Sequence, residues 1–195
     1  MIELVAITDA AGPPPERPPL RIVESGRLAA LCAPAEEREL TPEALWEHER
    51  LVEALMEQRD VLPVRYGTRV RDEEEAARAI GEREAELAEA LDKVRGAVEL
   101  SVRVIGDRPP PASGTEFIRG RAEVAALHER LSLVARDSAR RPARAVGELM
   151  RAAYLVDRGA VDDFVALVER LQAEADGGLR LLCTGPWPPY SFTSA

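Results

Sequence analysis

Apolar residues in the first half of the chain occur in short runs, a pattern that favours β-strands over long buried helices. The runs lie at residues 2–7, 20–24, 28–32, 61–66 and 97–105. Ser25 and Gly26 lie between the second run and the third, and a short connection that contains glycine predicts a hairpin. We therefore expect an antiparallel sheet in this half of the chain.

Two stretches between these runs carry apolar residues at three- and four-residue steps, which predicts amphipathic helices. The first covers residues 41–58, with Thr41 as the cap, Pro42 at the first helical position and Leu45 on the buried face. The second covers residues 72–96. The order strand, hairpin, helix, strand, helix, strand is close to the split βαβ arrangement of ferredoxin-like domains.

A proline-rich stretch at residues 107–114 predicts a rigid linker between two domains. The predicted fold class is α+β, with an N-terminal ferredoxin-like domain of antiparallel sheet at residues 1–106 and a smaller C-terminal α+β domain at residues 115–195. The pattern in the second domain predicts a helix at 124–134, a strand or a helix at 152–156, a helix at 161–171 and a strand at 179–183.

The C-terminal stretch 185–192 combines three prolines with Trp187, Tyr190 and Phe192. Proline lacks a backbone donor and fixes φ, so these residues are expected to leave the preceding strand as a stiff, polyproline-like arm. A rigid aromatic terminus is expected to dock on a surface. Either it docks on its own domain and closes the fold, or some of its rings face a partner.

The strand predicted at residues 61–66 is the other candidate contact surface. Alternation places Leu62 and Tyr66 on one face, and Pro63 and Arg65 on the other. Pro63 cannot donate to a sheet ladder, which predicts an edge strand or a bulge. Arg65 on a half-apolar strand is explained either by an internal salt bridge or by an exposed edge that receives a partner's strand or helix.

Composition narrows the class of protein. The chain of 195 residues is 46% hydrophobic and 31% charged, as expected of a globular protein. Its formal net charge of −9 argues against nucleic acid as a partner. Apolar runs are too short to span a bilayer and the N-terminus does not resemble a signal peptide, so we expect a cytoplasmic protein.

Motifs of catalysis are missing from the sequence. Neither His48 nor His128 has a second histidine four residues on, so neither forms a helical zinc pair. His48 is expected to be a satisfied, partly buried histidine. Cys32 and Cys183 are flanked by apolar residues and are expected to be buried thiols rather than a disulfide. We predict a protein that is not an enzyme, with no cofactor and no metal.

Four segments together resemble the gas vesicle protein GvpF/GvpL family. They are the C-terminal TGPWPPYSF at residues 184–192, VLPVRYGT at residues 61–68, the helical pair His48-Glu49, and AYLV at residues 153–156. The resemblance spans most of the chain, from residue 48 to residue 192. Members of the family have a ferredoxin-like N-terminal domain and a smaller α/β C-terminal domain. This chain has tyrosine after Arg65, where the family commonly has phenylalanine.

The resemblance implies an accessory protein that takes part in gas vesicle assembly. Such proteins are expected to contact the small hydrophobic shell protein GvpA and other gas vesicle accessory proteins, and to remain as minor wall components. The residues expected to bind the partner are Leu62, Pro63, Arg65, Tyr66, Trp187, Tyr190 and Phe192. Two rival classes remain open at this point: an adaptor of another assembly, and a small-molecule-binding regulatory domain of ferredoxin-like fold.

Overall fold

The computed structural model describes residues 1–12, 14–16, 20–35, 41–106, 113–175 and 178–193. The chain divides into two compact units. The first combines Met1–Gly96 with Pro188–Ala195, and the second comprises Ala97–Trp187.

The first unit is built on an antiparallel sheet. Its strands are β1 (Ile2–Asp9), β2 (Arg21–Ser25), β3 (Leu28–Pro34), β4 (Leu62–Pro63) and β5 (Arg69–Val70), and its helices are α1 (Pro42–Gln58), α2 (Glu73–Gly81) and α3 (Glu84–Val94). The strand order is β2–β3–β1–β4, and β5 also pairs with β1. The predicted hairpin of β2 and β3 is confirmed, and β1 lies at the centre with Val5 and Ala6 fully enclosed.

Helix α1 begins as the sequence predicts, because the Thr41 hydroxyl accepts a hydrogen bond from the backbone N–H of Ala44 at 3.2 Å. Its buried stripe includes Ala44, His48 and Val52, which are four residues apart. Leu45 is rotated about 100° from Ala44 around the helix. The expectation that Leu45 lies on the buried face is therefore wrong, and its side chain is 45% exposed.

The single helix predicted at residues 72–96 is two helices. Asp72 caps α2, but α2 ends at Gly81. A Cβ atom at Gly81 would lie 3.0 Å from the Ser25 hydroxyl, so the close approach of α2 to the β2–β3 hairpin favours glycine here. Glycine also disfavours helix continuation. The chain turns after it, and α3 begins at Glu84 and buries Leu91.

The second unit has the element order of a ferredoxin-like domain. Its elements are β6 (Ala97–Gly106), α4 (Gly114–Ser132), β7 (Asp137–Arg141), β8 (Glu148–Asp157), α5 (Val161–Glu174) and β9 (Leu179–Trp187). The antiparallel sheet has the order β7–β8–β6–β9. The α+β class with antiparallel sheets is confirmed. The split βαβ order, however, is found at residues 97–187, whereas the described residues between β1 and β2 contain no helix.

The units also divide at a different place from the predicted domains. The sequence pattern predicts that β6 completes the first domain, but β6 lies between β8 and β9 in the second sheet. Hydrophobic alternation identifies a strand without saying which sheet it joins. Of the predicted linker, residues 107–112 lie outside the described residues, and α4 already begins at Gly114.

The last strands differ from the sequence prediction in two further ways. Residues 152–156 belong to β8, which resolves the strand-or-helix ambiguity, and β7 is a strand that the sequence does not predict. Strand β9 continues past residue 183 to Trp187, because Gly185 and Pro186 fit into an irregularity between the pairs that Glu99 and Ser101 form. Gly185 has a φ of +122°, and a Cβ atom there would lie 2.8 Å from the Glu99 carbonyl oxygen.

The core of the second unit lies between one face of its sheet and the helices α4 and α5. Tyr154 and Phe164 form a tilted ring pair with centroids 5.3 Å apart, and the Tyr154 hydroxyl lies 2.7 Å from Nδ1 of His128. The buried hydroxyl is thereby satisfied. Across the described ranges of the chain, helices of the length and apolarity required to cross a membrane are absent.

Candidate functional site

The segment 61–68 follows α1 and forms one edge of the first sheet. Pro63 pairs with Ala6, and Leu62 pairs with Ile7. The strand is only two residues long, shorter than predicted, and Leu62 is 1% exposed. The edge position expected of Pro63 is confirmed.

His48 holds the turn that follows β4. Its ring is buried, and Nε2 donates a hydrogen bond to the Val64 carbonyl oxygen at 2.8 Å. Nδ1 lies 3.8 Å from Oε1 of Glu3, and the ring meets Tyr66 edge-on with centroids 5.5 Å apart. Glu3 also accepts a hydrogen bond from the Gly67 N–H at 3.2 Å. The prediction of a satisfied, buried histidine is confirmed, and its role is to position the turn.

Backbone groups around this turn are already bonded. The Val64 N–H donates to the Val5 carbonyl oxygen at 3.0 Å, while the Val64 carbonyl accepts from His48. The Arg65 carbonyl accepts from the N–H and the hydroxyl of Thr68, at 3.2 and 2.8 Å. Pro63 has no N–H to offer. An added strand would therefore find few donors and acceptors at residues 63–65.

Arg65 projects into solvent. It is exposed, and no acid in the part of the chain that the structure describes forms an ion pair with it. The internal salt bridge considered from sequence is thus not found among the described residues. Arg65 lines a cavity of about 150 Å³, the Arg65 cavity, which lies between the edge of the first sheet, α2, α3 and the C-terminal segment.

The C-terminal segment 188–193 packs on the first unit, whereas the sequence assigns it to the C-terminal domain, so it docks within the chain but not on its predicted domain. It is not an extended arm, because the Tyr190 N–H donates to the Pro188 carbonyl at 2.8 Å and the Phe192 N–H to the Pro189 carbonyl at 3.0 Å. These bonds close successive turns. Phe192 is 6% exposed, and the Lys93 ammonium lies 5.7 Å from its ring centroid.

Tyr190 is tied to α1. Burial, and then the negative charge of Glu49, raise the pKa of Tyr190, and its hydroxyl is hydrogen-bonded to the Glu49 carboxylate. Glu49 follows His48 in the sequence. Adjacent residues of α1 therefore hold the two candidate segments, with His48 at the turn after β4 and Glu49 at the C-terminal segment.

Trp187 belongs to the second unit, and the other candidates belong to the first. It pairs with Glu99 in the sheet, and its indole Nε1–H donates to the Thr184 hydroxyl at 3.4 Å. Of the candidates in the first unit, Leu62 and Phe192 are buried core residues. Pro63, Arg65, Tyr66 and Tyr190 border the solvent or the Arg65 cavity.

The sequence prediction missed an apolar pair on α1. Trp46 is 60% exposed and Leu45 is 45% exposed. Both precede Glu49 by about one helical turn, so on α1 they share a face with the residue that binds Tyr190. The available signal was a tryptophan outside the buried stripe of an amphipathic helix. We call the set Leu45, Trp46, Arg65, Tyr66 and Tyr190 the α1 surface.

The described Cys, His, Asp and Glu side chains are the candidates for metal or thiolate chemistry. No group of three or more His, Cys, Asp or Glu among the described residues could hold a metal ion. Burial raises the pKa of the Cys32 thiol to about 11, and burial also raises the pKa of Cys183. Both cysteines are free. Neither is activated as a thiolate near neutral pH.

A family model described as gas vesicle synthesis protein GvpL/GvpF matches residues 6–118 and 117–194 of the chain. The chain is 30% identical over 199 residues to gas vesicle protein L of Streptomyces sp. (strain CB03234), a match that covers 84% of this chain and 74% of that protein. It is 29% identical over 217 residues to gas vesicle protein F of the same strain, covering 93% and 90%.

Two crystal structures share the fold. The chain matches GvpF from Anabaena sp. PCC7120 with a TM-score of 0.82 at 19% identity, over 100% of this chain and 96% of that one. It matches GvpF from Microcystis aeruginosa with a TM-score of 0.83 at 18% identity, over 100% and 99%. At such identity the likeness establishes the fold, and the family rests on the sequence matches.

Proposed function

Because the chain belongs to the GvpL/GvpF family of gas vesicle synthesis proteins, we propose that it is a gas vesicle accessory protein that binds the small hydrophobic shell protein GvpA during assembly. In this proposal it acts at the gas vesicle together with other accessory proteins, and some copies remain in the finished wall as a minor component. Binding, rather than catalysis, is its activity.

The observation that carries the proposal is the α1 surface. It combines exposed apolar side chains, Trp46 and Leu45, with the exposed guanidinium of Arg65. Tryptophan and arginine are the residue types that contribute most at protein interfaces. Two residues of α1 hold the tyrosines of this surface in place, because His48 contacts Tyr66 and Glu49 is hydrogen-bonded to Tyr190.

A physical need for such a surface follows from the shell protein's chemistry. A small subunit with apolar strands and an apolar helix face exposes aggregation-prone surface until it polymerises. A partner that covers part of that surface keeps the subunit available for assembly. The bonded backbone at residues 63–65 favours docking of side chains or of a helix over addition of a strand.

The test is capture of the purified shell protein on immobilised wild type and variants. Trp46→Ser and Arg65→Gln are expected to lower capture at least about fivefold, as expected for interface positions. Leu133→Ser and Arg78→Gln are matched controls, since Leu133 is 80% exposed in the second unit and Arg78 is an exposed arginine of α2. Trp187→Ala measures any contribution from the second unit.

Two results would contradict the proposal. One is wild type that captures no shell protein under conditions in which its fold is intact. The other is capture that falls equally in the α1-surface variants and in the matched controls, because the loss would then come from general surface charge or apolarity.

A further inference from the structure

The Arg65 cavity has the size of one side chain. Its volume is about 150 Å³, and its lining includes the aliphatic residues Leu4, Ile7, Ile80 and Leu87, all of them largely buried. An apolar cavity of about this volume accommodates a group of about the size of benzene. A leucine, isoleucine or phenylalanine side chain from a partner fits this description, whereas a nucleotide or a large cofactor does not.

Two arginines stand at the solvent side of the cavity. Arg65 and Arg83 both line it and both are exposed. Glu86 binds Arg83 through two hydrogen bonds, at 3.0 and 2.8 Å, whereas Arg65 forms no ion pair with an acid in the described ranges. In a chain of net charge −9, this is a local site for an anionic group. A guanidinium pairs best with a planar carboxylate.

The surrounding backbone limits how a partner can bind here. An added β-strand needs unbonded donors and acceptors along the edge, and those of Val64 are already bonded within the unit. Recognition therefore depends on what enters the cavity and on what pairs with the arginine beside it.

We propose that the Arg65 cavity binds one apolar side chain of the shell protein, while a carboxylate next to that side chain pairs with Arg65. The identity of the partner rests on the proposed function, and the chemistry of the site rests on the cavity itself. The cavity supplies burial of an apolar group and Arg65 supplies charge selection, so the site discriminates segments in which an aliphatic or aromatic residue adjoins Asp or Glu.

A small probe tests the chemistry without the shell protein. N-acetyl-L-leucine carries an aliphatic side chain beside a carboxylate, N-acetyl-L-leucinamide lacks the charge, and N-acetylglycine lacks the side chain. In ¹⁵N–¹H spectra, N-acetyl-L-leucine is expected to shift the amides of Val64, Arg65 and Ile80 with a Kd on the order of 1 mM. Each of the two control compounds is expected to bind at least about fivefold more weakly.

Substitutions that fill the cavity test the site, and each can be compared with a matched substitution outside it. Ala79 lines the cavity and Ala77 does not, and both are half-buried alanines of α2. Ala79→Leu is expected to weaken the probe at least about tenfold, and Ala77→Leu is expected to leave it unchanged. Thr193→Phe fills the cavity from the C-terminal segment and serves if Ala79→Leu lowers the melting temperature. Arg65→Gln is expected to abolish the difference between N-acetyl-L-leucine and its amide.

The probe and the shell protein give separable outcomes. The proposal holds if Ala79→Leu loses both the probe and capture of the shell protein while Ala77→Leu keeps both. If the shell protein is captured equally by wild type and Ala79→Leu, the cavity assignment is overturned and the proposed function stands. If the probe binds but no shell protein is captured, the shell protein is overturned as the occupant. Unshifted amides at about twenty times the expected Kd overturn the site altogether.

Discussion

Replacement of His48 tests whether α1 holds the turn after β4. His48→Leu keeps an apolar body of similar size but removes the donor to the Val64 carbonyl and the neighbour of the Glu3 carboxylate. A buried carbonyl without a donor costs about 1–3 kcal/mol. Loss of the edge-on contact with Tyr66 adds about 0.5–1.5 kcal/mol. The expected loss of unfolding free energy is therefore about 1.5–4.5 kcal/mol.

His48→Gln is the informative partner variant, because a glutamine amide can also donate to the Val64 carbonyl while it lacks the ring that meets Tyr66. We expect it to lose only about 1 kcal/mol. Arg50→Leu, at an exposed position of the same helix, should stay within about 0.5 kcal/mol of wild type.

Urea unfolding followed by far-UV circular dichroism measures these differences. With a slope of about 2 kcal/mol per molar, His48→Leu should lower the midpoint by about 1–2 M. The same variant should also lose shell-protein capture, since the turn carries Arg65 and Tyr66. A midpoint for His48→Leu that equals wild type, or one for His48→Gln that is as low as for His48→Leu, would refute the positioning role.

Three further predictions concern single sites. Gly185→Ala should destabilise the second unit by about 1–3 kcal/mol in thermal unfolding, because φ is positive there and the added Cβ would meet the Glu99 carbonyl oxygen of β6. The control Gly159→Ala, whose Cβ would meet no atom within 4 Å, should be nearly neutral. Burial, and then a nearby arginine, lower the pKa of His128 below its ordinary 6.5, so the unfolded state binds the proton better. Stability should therefore fall as pH drops from about 7 through 6.5 to the folded-state pKa, and urea midpoints of His128→Gln should lose this dependence. Iodoacetamide at pH 8 should modify Cys32 and Cys183 slowly in the folded protein and rapidly in urea, as measured by mass spectrometry. Fast labelling of Cys32 in the folded protein would contradict its burial.

Local signals in the sequence predict local structure well. The Thr41-Pro42 start of α1 and the hairpin around Gly26 follow from capping and turn chemistry alone. The helix break at Gly81 does not, because a single glycine is tolerated inside a helical pattern and the close approach of Ser25 from a distant strand is not visible in the sequence. Strand β7 has no apolar alternation to reveal it and exists because β8 offers a partner edge.

The candidate site was predictable in its segments but not in its assembly. The proline in the edge strand and the ring-rich terminus marked residues 61–66 and 187–192 as special. Which of their side chains reach solvent depends on contacts across the chain: Leu62 and Phe192 are core residues, and Arg65 projects outward. The sequence pattern does not single out Trp46, because helical periodicity identifies the buried stripe of α1 and gives no information about its exposed face.

The most direct measurement is photocrosslinking from the α1 surface during gas vesicle formation. A benzophenone amino acid at position 66 replaces the half-buried tyrosine that contacts His48, and the same amino acid at position 133 reports on an exposed site of the second unit. Light should produce an adduct with the shell protein from position 66 and little or none from position 133. Adducts from position 133 alone, or from neither position while vesicles form normally, would contradict the claim that this surface holds the shell protein.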